Sequence, residues 1–110
     1  MAQAELKKGT TPLMILALLE AEPRHGYQLS RLIEARSKGV VRVHAASLYP
    51  LLYELEAKRW IRGSWVEEPG QRRRRFYRLT AEGKRQLAEQ RTDFAEFVRA
   101  VSLVAGVEHA

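Results

Sequence analysis

Residues 45–60 read AASLYPLLYELEAKRW, and this stretch decides how the rest of the chain is arranged. Its leucines recur at positions i, i+3, i+4 and i+7, a spacing that predicts a helix with one apolar stripe: Leu48, Leu51, Leu52 and Leu55. The opposite face carries Ala46, Pro50, Tyr53 and Ala57, with Ser47 and Tyr49 on its flanks. Such a face suits insertion into a DNA major groove, although amphipathic helices occur in proteins of every class. Pro50 places the start of the helix between Val43 and Ser47, because proline in a helix interior costs about 3 kcal/mol.

The sequence after this helix predicts a β-hairpin. Residues 61–67 and 72–79 have the composition of strands, and residues 68–71 (Glu-Pro-Gly-Gln) form a turn. Five arginines occupy the seven positions from Arg72 to Arg78, interleaved with Phe76 and Tyr77. An isolated arginine run is usually a solvated face. Within a hairpin that follows a groove-reading helix it forms a stiff basic wing, whose natural target is a phosphate backbone or a minor groove.

Two helices are predicted before residue 45. Residues 1–10 are polar and are expected to be disordered, after which Thr11 would cap a helix with Pro12 at its first position. That helix, residues 13–20, is apolar nearly all round and needs covering on both sides. A second helix is expected from His25-Gly26-Tyr27 to Arg36. His25 is interpreted as a cap or a hydrogen-bonded surface residue, since no partner acid or nucleophile accompanies it.

The last predicted helix is capped by Thr80 and extends beyond anything in the sequence that could cover it. A partner helix from a second copy is the simplest cover, so the chain is expected to be a homodimer. The predicted dimer interface combines apolar residues of the first and last helices: Leu13, Ile15, Leu19, Leu87, Phe94, Phe97, Val98, Val101 and Val104. The predicted organisation is an N-terminal arm (1–10), a winged helix-turn-helix DNA-binding domain (11–80) and a C-terminal dimerisation helix (81–110).

Composition narrows the function further. A chain of 110 residues fits one small domain, and its net charge of +6 favours a polyanionic partner. The absence of cysteine excludes disulfides and thiolate metal sites and fits a reducing cytoplasm. No signal peptide, membrane span or acidic cluster at metal-ligand spacing is visible, so no membrane association, metal or other cofactor is expected. An enzyme is the weakest interpretation, because the sequence shows no triad, paired acids or Gly-rich phosphate loop.

Four motifs resemble those of the PadR-like transcriptional regulators over roughly residues 10–90: Pro23-Arg24-His25-Gly26-Tyr27; Ser47-Leu48-Tyr49-Pro50 with Leu55-Glu56; residues 75–80; and Gly83 with Leu87. The resemblance implies a mainly α fold with a small β-hairpin (α+β) and a dimeric DNA-binding regulator, most often a repressor. It also implies that a small-molecule effector is possible, its identity unknown. Drug-binding relatives carry tryptophan on or near the last helix, where this chain has only Phe94 and Phe97, so these are expected to be dimer core.

Three functions remain open from sequence: a sequence-specific dimeric repressor, a winged-helix module that binds a protein, and a non-specific nucleic-acid binder that works by charge alone. The recognition helix is less positive than the resemblance implies, which is the best support for the second. For the first function the residues expected to contact double-stranded DNA are Tyr27, His44, Ala46, Ser47, Tyr49, Pro50, Tyr53, Arg72, Arg73, Arg74 and Arg75.

Overall fold

A computed structural model describes the backbone of residues 2–108 and the side chains of residues 9–108. Its elements follow one another as α1 (Ala2–Leu19), β1 (Arg24–His25), α2 (Gly26–Arg36), α3 (Ala45–Ala57), β2 (Ile61–Val66), β3 (Arg74–Leu79) and α4 (Ala81–Ala105). This order of helices, with a hairpin between the third and the fourth, is that of a winged helix-turn-helix, and the predicted α+β fold class is confirmed.

The three strands form one antiparallel sheet in the order β1-β3-β2. In the hairpin, Ile61 pairs with Leu79 and Val66 pairs with Arg74 at the distal end. The residues between β2 and β3, 67–73, form the tip, and we call residues 61–79 together the wing. The hairpin is therefore confirmed, but β1 was not predicted, because two residues that pair with Tyr77 and Phe76 leave no periodic signal in the sequence.

One apolar core joins α1, α2, α3, the sheet and the start of α4. Its buried members are Ile15, Leu16, Leu18, Leu19, Leu29, Ile33, Leu48, Leu52, Leu55, Ile61, Tyr77 and Leu87. The leucine stripe of α3 lies in this core, with Leu51 half-buried at its border. Burying this stripe fixes the roll of α3 about its axis, and the opposite face of the helix is thereby turned to solvent.

Side-chain caps define the starts of α2 and α4. His25 Nδ1 accepts a hydrogen bond from the Gln28 N–H, and the Gln28 side chain accepts one from the His25 N–H, so the two residues form a capping box. The Thr80 hydroxyl accepts a hydrogen bond from the Gly83 N–H at 3.0 Å. Both capping roles were predicted, and both are confirmed.

The predicted start of the first helix is wrong. α1 begins at Ala2 and passes through Pro12, so Thr11 is not its N-cap and Pro12 is not its first residue. The stretch before Pro12 is rich in residues with a high helix propensity, and a helix continued through proline loses one backbone hydrogen bond. Residue 1 and the side chains of residues 2–8 lie outside the described part, and the division into arm, DNA-binding domain and dimerisation helix stays a prediction.

Three residues predicted for the dimer interface belong instead to the core of their own chain. Ile15 is 0%, Leu19 is 3% and Leu87 is 1% exposed. The apolar circumference of α1 is covered mainly from within the chain, by α2, β3 and α4. These side chains have no free surface for a second subunit, and their assignment to an interface is wrong.

The outer part of α4 is in a different situation. Phe94, Phe97, Val101 and Val104 repeat along one side of the helix, and all four are exposed, Val104 by 92%. The Arg91 guanidinium binds the Glu20 carboxylate at 2.9 and 3.2 Å and links the middle of α4 to the end of α1. Of this stripe, Phe94 and Phe97 still border residues of α1 and α3, whereas Val101 and Val104 lie further along α4. Over the described residues, no helix is long and apolar enough to cross a membrane.

Candidate DNA-binding surface

The connector between α2 and α3 is held by hydroxyl groups. The Ser30 hydroxyl of α2 donates to the Val43 carbonyl at 2.5 Å, and the Ser37 hydroxyl accepts from the Val41 N–H at 2.9 Å. His44 is the N-cap of α3, is exposed, and makes no cap hydrogen bond with its side chain. The first turn of α3 therefore opens to solvent, where its backbone N–H groups can meet an anion.

The outer face of α3 carries the side chains predicted to face DNA. All five side chains are exposed: Ala46, Ser47, Pro50, Tyr49 (38%) and Tyr53 (59%). Tyr49 is the least free of them: a Cβ added to Gly26 would lie only 3.1 Å from its ring, so the ring packs over the backbone at the start of α2. Tyr49 thus both packs against the start of α2 and borders the outer face.

The start of α2 adds a second tyrosine to this surface. Tyr27 is 52% exposed, and its hydroxyl accepts a hydrogen bond from Arg31 Nη1 at 3.1 Å. The Arg31 guanidinium also lies over the Tyr27 ring, 5.8 Å from its centroid. Arg31 was missed by the sequence reasoning. The available signal was its i+4 spacing from Tyr27, which places both on one helix face.

His25 connects the start of α2 to the wing. Its Nε2 lies 3.1 Å from Arg74 Nη1, and its ring meets the edge of the Phe76 ring at a centroid distance of 5.1 Å. Burial and then the charge of Arg74 lower the pKa of His25 below its ordinary value. The lowered pKa favours the neutral imidazole, in which Nδ1 can act as the acceptor that caps α2.

The wing presents arginines and one exposed aromatic residue. Arg72, Arg73 and Arg74 are exposed, and the Arg73 guanidinium lies 4.4 Å from the centroid of the Trp65 ring. The ion pair of Arg73 with Glu67 is long, at 4.0 Å, and lies at the solvated tip. Trp65 itself is 55% exposed and was missed as a site residue. The sequence signal for Trp65 was the position of an aromatic residue in the strand that pairs with the arginine-rich strand.

Arg75 does not behave like its three neighbours. It is half-buried, and its Nη2 donates to the Glu56 carboxylate of α3 at 2.6 Å. Burial works to lower the pKa of Arg75, but the hydrogen bond and the charge of Glu56 raise it above its ordinary value. Arg75 is therefore not free in this structure, because period two places it on the inward face of β3 together with Tyr77, and its predicted contact with DNA stays a prediction.

The recognition helix and the wing border one concave surface. A cavity of about 410 Å³ lies between them, lined by His25, Tyr27, Tyr49, Tyr53, Trp65, Arg72, Arg73, Arg74, Arg75 and Tyr77. The structure thus brings together the predicted tyrosines and the predicted arginines. Ser47, Ala46 and Pro50 continue the surface along α3 outside the cavity. A groove lined by arginine and aromatic side chains favours a polyanion with flat bases.

A second, larger cavity of about 650 Å³ lies on the other side of α3. Residues of α1, α3 and α4 line it, together with Trp60: Gly9, Thr10, Pro12, Leu13, Leu51, Glu54, Leu55, Lys58, Trp60, Gln90, Asp93, Phe94 and Phe97. Phe94 and Phe97, which were expected to be dimer core, lie in this lining. Trp60 supplies a tryptophan from outside α4, so the cavity is aromatic.

The fold and the concave surface define the class of protein. A helix-turn-helix with an exposed second helix, flanked by a basic wing, is an architecture of nucleic-acid-binding proteins. Among the described residues, no group of three histidine, aspartate or glutamate side chains is placed to hold a metal ion.

Comparison with known proteins identifies the family. Residues 15–89 match the sequence pattern of the "Transcriptional regulator PadR-like family", and the chain belongs to that family. Members are transcriptional regulators and not enzymes, so the predicted DNA-binding regulator and the predicted lack of enzymatic activity are confirmed at this level.

Solved structures show the same fold. A PadR family transcriptional regulator from Eggerthella lenta is 28% identical, with a TM-score of 0.83 over 97% of this chain and 91% of its own. A PadR-like transcriptional regulator from Bacillus cereus is 25% identical, with a TM-score of 0.79 over 94% and 99%. PadR of Bacillus subtilis, in complex with operator DNA, is 22% identical, with a TM-score of 0.66 over 72% of this chain and 45% of its own.

Proposed function

We propose that the chain is a homodimeric, sequence-specific repressor that binds a palindromic operator in the cytoplasm. One observation carries the proposal: the exposed face of α3 and the three exposed arginines of the wing border the same concave surface. In this proposal Ser47 and Tyr53 meet base edges, while Arg72 and Arg74 meet phosphates. The Bacillus subtilis PadR structure, which holds operator DNA, supports the same use of the fold here.

The dimer is proposed from the outer part of α4. Its exposed apolar residues repeat along one helix side from Phe94 to Val104, which is the pattern of a helix–helix seam. A two-fold pair through this seam brings two copies of α3 to one side of the assembly. For adjacent major grooves the two recognition helices need a separation of about 34 Å, which corresponds to half-sites about 10 base pairs apart.

Repression is proposed from the family resemblance and from occupancy. A dimer that covers two half-sites excludes other proteins from the same DNA, and this needs no further interaction surface. A reporter gene behind the selected operator tests the sign of regulation: expression should fall when the chain is present and recover in a Ser47→Ala variant. A rise in expression would reject repression while leaving DNA binding intact.

Selection of bound fragments from random duplex DNA tests the activity itself. We expect a palindromic consensus, with preference retained in competition against excess non-specific DNA at raised salt. Ser47→Ala and Tyr53→Phe each remove a hydroxyl that can bond a base edge, and each should weaken operator binding by about 1–3 kcal/mol with little effect on non-specific binding. Binding without sequence preference would favour the purely electrostatic binder, and failure to bind any DNA would favour the protein-interaction module.

The cavity behind α3 favours a second activity, response to a small apolar molecule. Leu51 and Leu55 line this cavity on the face of α3 opposite the DNA-facing residues. A molecule bound in the cavity can therefore change the orientation of α3 relative to the wing. Anilinonaphthalene sulfonate, a fluorescent aromatic anion, is a suitable probe of this cavity. Its fluorescence should rise with the wild-type protein and much less with Leu51→Trp, which fills the cavity from α3. Because Phe94 and Phe97 belong to both the cavity and the proposed seam, sedimentation of this variant is the control for an unchanged dimer. Equal fluorescence with both proteins would place the probe elsewhere.

A further inference from the structure

The wing and the recognition helix must be held at a fixed distance if one is to meet phosphates while the other reads bases. The chain passes directly from α3 to β2 through residues 58–60, in which Arg59 has a left-handed backbone with φ of 65°. Such a short connection fixes where the wing begins, but it leaves the tilt of the hairpin against α3 to side-chain interactions.

Glu56 of α3 reaches both strands of the wing with one carboxylate oxygen. Its Oε2 accepts a hydrogen bond from Arg75 Nη2 of β3 at 2.6 Å and from the Gly63 N–H of β2 at 3.2 Å. β2 is the edge strand of the sheet, so a carboxylate here takes the place of a strand partner for that N–H. The side chains of Arg75 and Glu56 are only 25% and 27% exposed, so solvent screens their attraction less than it does at the wing tip.

Gly63 creates the space for this arrangement. A Cβ added at Gly63 would lie 2.5 Å from Arg75 Nε and 2.7 Å from its Cζ, so the guanidinium lies flat on the backbone of β2. The rings of Trp65 and Tyr77 lie within reach of the same guanidinium, at centroid distances of 5.5 and 5.7 Å. Arg75 is therefore fixed in its inward position by the Glu56 carboxylate, the backbone at Gly63 and two aromatic rings.

We propose that Glu56 is a positioning residue for DNA recognition, which fixes the tilt of the wing against the recognition helix through Arg75 and Gly63; this role rests on the proposed DNA binding. Arg75 is then withdrawn from DNA, and phosphate binding by the wing falls to its exposed arginines. Glu56 itself touches no DNA. Its carboxylate presets the geometry in which α3 and the wing engage one site together, so its loss impairs discrimination between sequences more than it impairs attraction to DNA in general.

A double-mutant cycle tests the pair as a unit. Glu56→Gln, Arg75→Gln and the double variant are compared with the wild type by the ratio of operator affinity to non-specific affinity. We expect each single variant to lower this ratio about tenfold, and the double variant to lower it by no more than either single one. Glu54→Gln is the matched control: it makes the same charge change on the same helix, but its partner is Lys58 of the same chain segment, and the ratio should not change.

Gly63→Ala is an independent variant that we expect to fold like the wild type. The added methyl group meets the flexible end of Arg75 and not backbone, so the guanidinium moves away at little cost to stability. We expect the same loss of discrimination as in Glu56→Gln, with a melting temperature no lower than that of Glu56→Gln. A normal ratio in Gly63→Ala would show that the seating of Arg75 has no bearing on recognition and would overturn the proposal.

Salt dependence separates positioning from direct phosphate binding. If Arg75 binds no phosphate, Arg75→Gln leaves the slope of log affinity against log salt unchanged for non-specific DNA. If it does bind one, the slope flattens by about 0.9 for each phosphate that is no longer neutralised, and the effects of Glu56→Gln and Arg75→Gln add. The second result would overturn the proposal and make Arg75 a DNA-binding residue.

Amide hydrogen exchange tests the interaction of Glu56 with the wing in the absence of DNA. The Gly63 N–H should exchange slowly in the wild type, and Glu56→Gln should speed exchange at Gly63 and along the rest of β2, while Glu54→Gln should not. Failure of the wild type to select any sequence would refute the proposed function alone, and the exchange pattern would still decide whether Glu56 holds the wing. Unchanged exchange along β2 in Glu56→Gln would refute the positioning role.

Discussion

The exposed wing arginines offer the sharpest test of how this protein holds DNA. Arg72, Arg73 and Arg74 lie at the solvated end of the hairpin, and nothing around them equals the 2.6 Å ion pair that occupies Arg75. Arg73 has the 4.0 Å ion pair with Glu67, and Arg74 lies beside the His25 ring without a carboxylate partner among the ion pairs of the described residues. All three can therefore turn to phosphate without breaking a strong interaction. Their replacement by glutamine should weaken binding to every sequence alike.

The size of the effect follows from counterion release. Each neutralised phosphate adds about 0.9 to the slope of log affinity against log salt, so removing three arginines from each of two subunits should flatten the slope by about 5. Between 50 and 200 mM salt the affinity supplied by each such arginine falls about 3.5-fold, and the six together account for a factor on the order of 10³. The triple variant should thus be far less sensitive to salt than the wild-type protein.

The measurement is a titration of labelled non-specific DNA by fluorescence anisotropy at four or five salt concentrations. The matched control replaces Lys84, Arg85 and Arg99, which are exposed on α4, and makes the same change in net charge. Its slope should stay close to that of the wild type. An unchanged slope in the wing variant, or a loss confined to one base pair of the operator, would refute the role given to the wing.

Three further predictions test other parts of the structure. Phe97→Asp places a charge in the proposed seam, and sedimentation should show monomers with weak operator binding; a dimer at micromolar concentration would contradict the seam. Burial and Arg74 lower the pKa of His25, so the unfolded chain binds more protons near pH 6, and the melting temperature should fall as the pH drops below about 6.5. His25→Asn, which keeps a capping side chain, should flatten this fall, and an equally steep fall would contradict the linkage. Gly83→Ala should destabilise the fold by about 2 kcal/mol or more in urea unfolding, because its Cβ would collide with the Trp60 carbonyl oxygen, whereas Gly9→Ala, with open space around it, should not.

The sequence by itself determined the elements whose signals are local. The leucine spacing of residues 48–55 set α3 and its buried face, and the turn at residues 68–71 set the hairpin. The capping roles of His25 and Thr80 also depend on an interaction three residues along the chain. Periodicity and capping act within one or two turns of chain, so they can be read without knowing what lies opposite.

Only the tertiary structure decided which exposed faces are covered by other parts of the chain. Ile15, Leu87 and Phe97 all belong to apolar helical patterns, yet Ile15 and Leu87 are buried and Phe97 is exposed. The difference arises because α4 packs against α1 over only part of its length. Arg75 is one of four consecutive arginines in sequence, yet it alone among them meets Glu56, since the pleat of β3 turns it inward and Gly63 leaves it room. A one-dimensional pattern gives the face on which a side chain lies, and the packing of distant elements decides what that face meets.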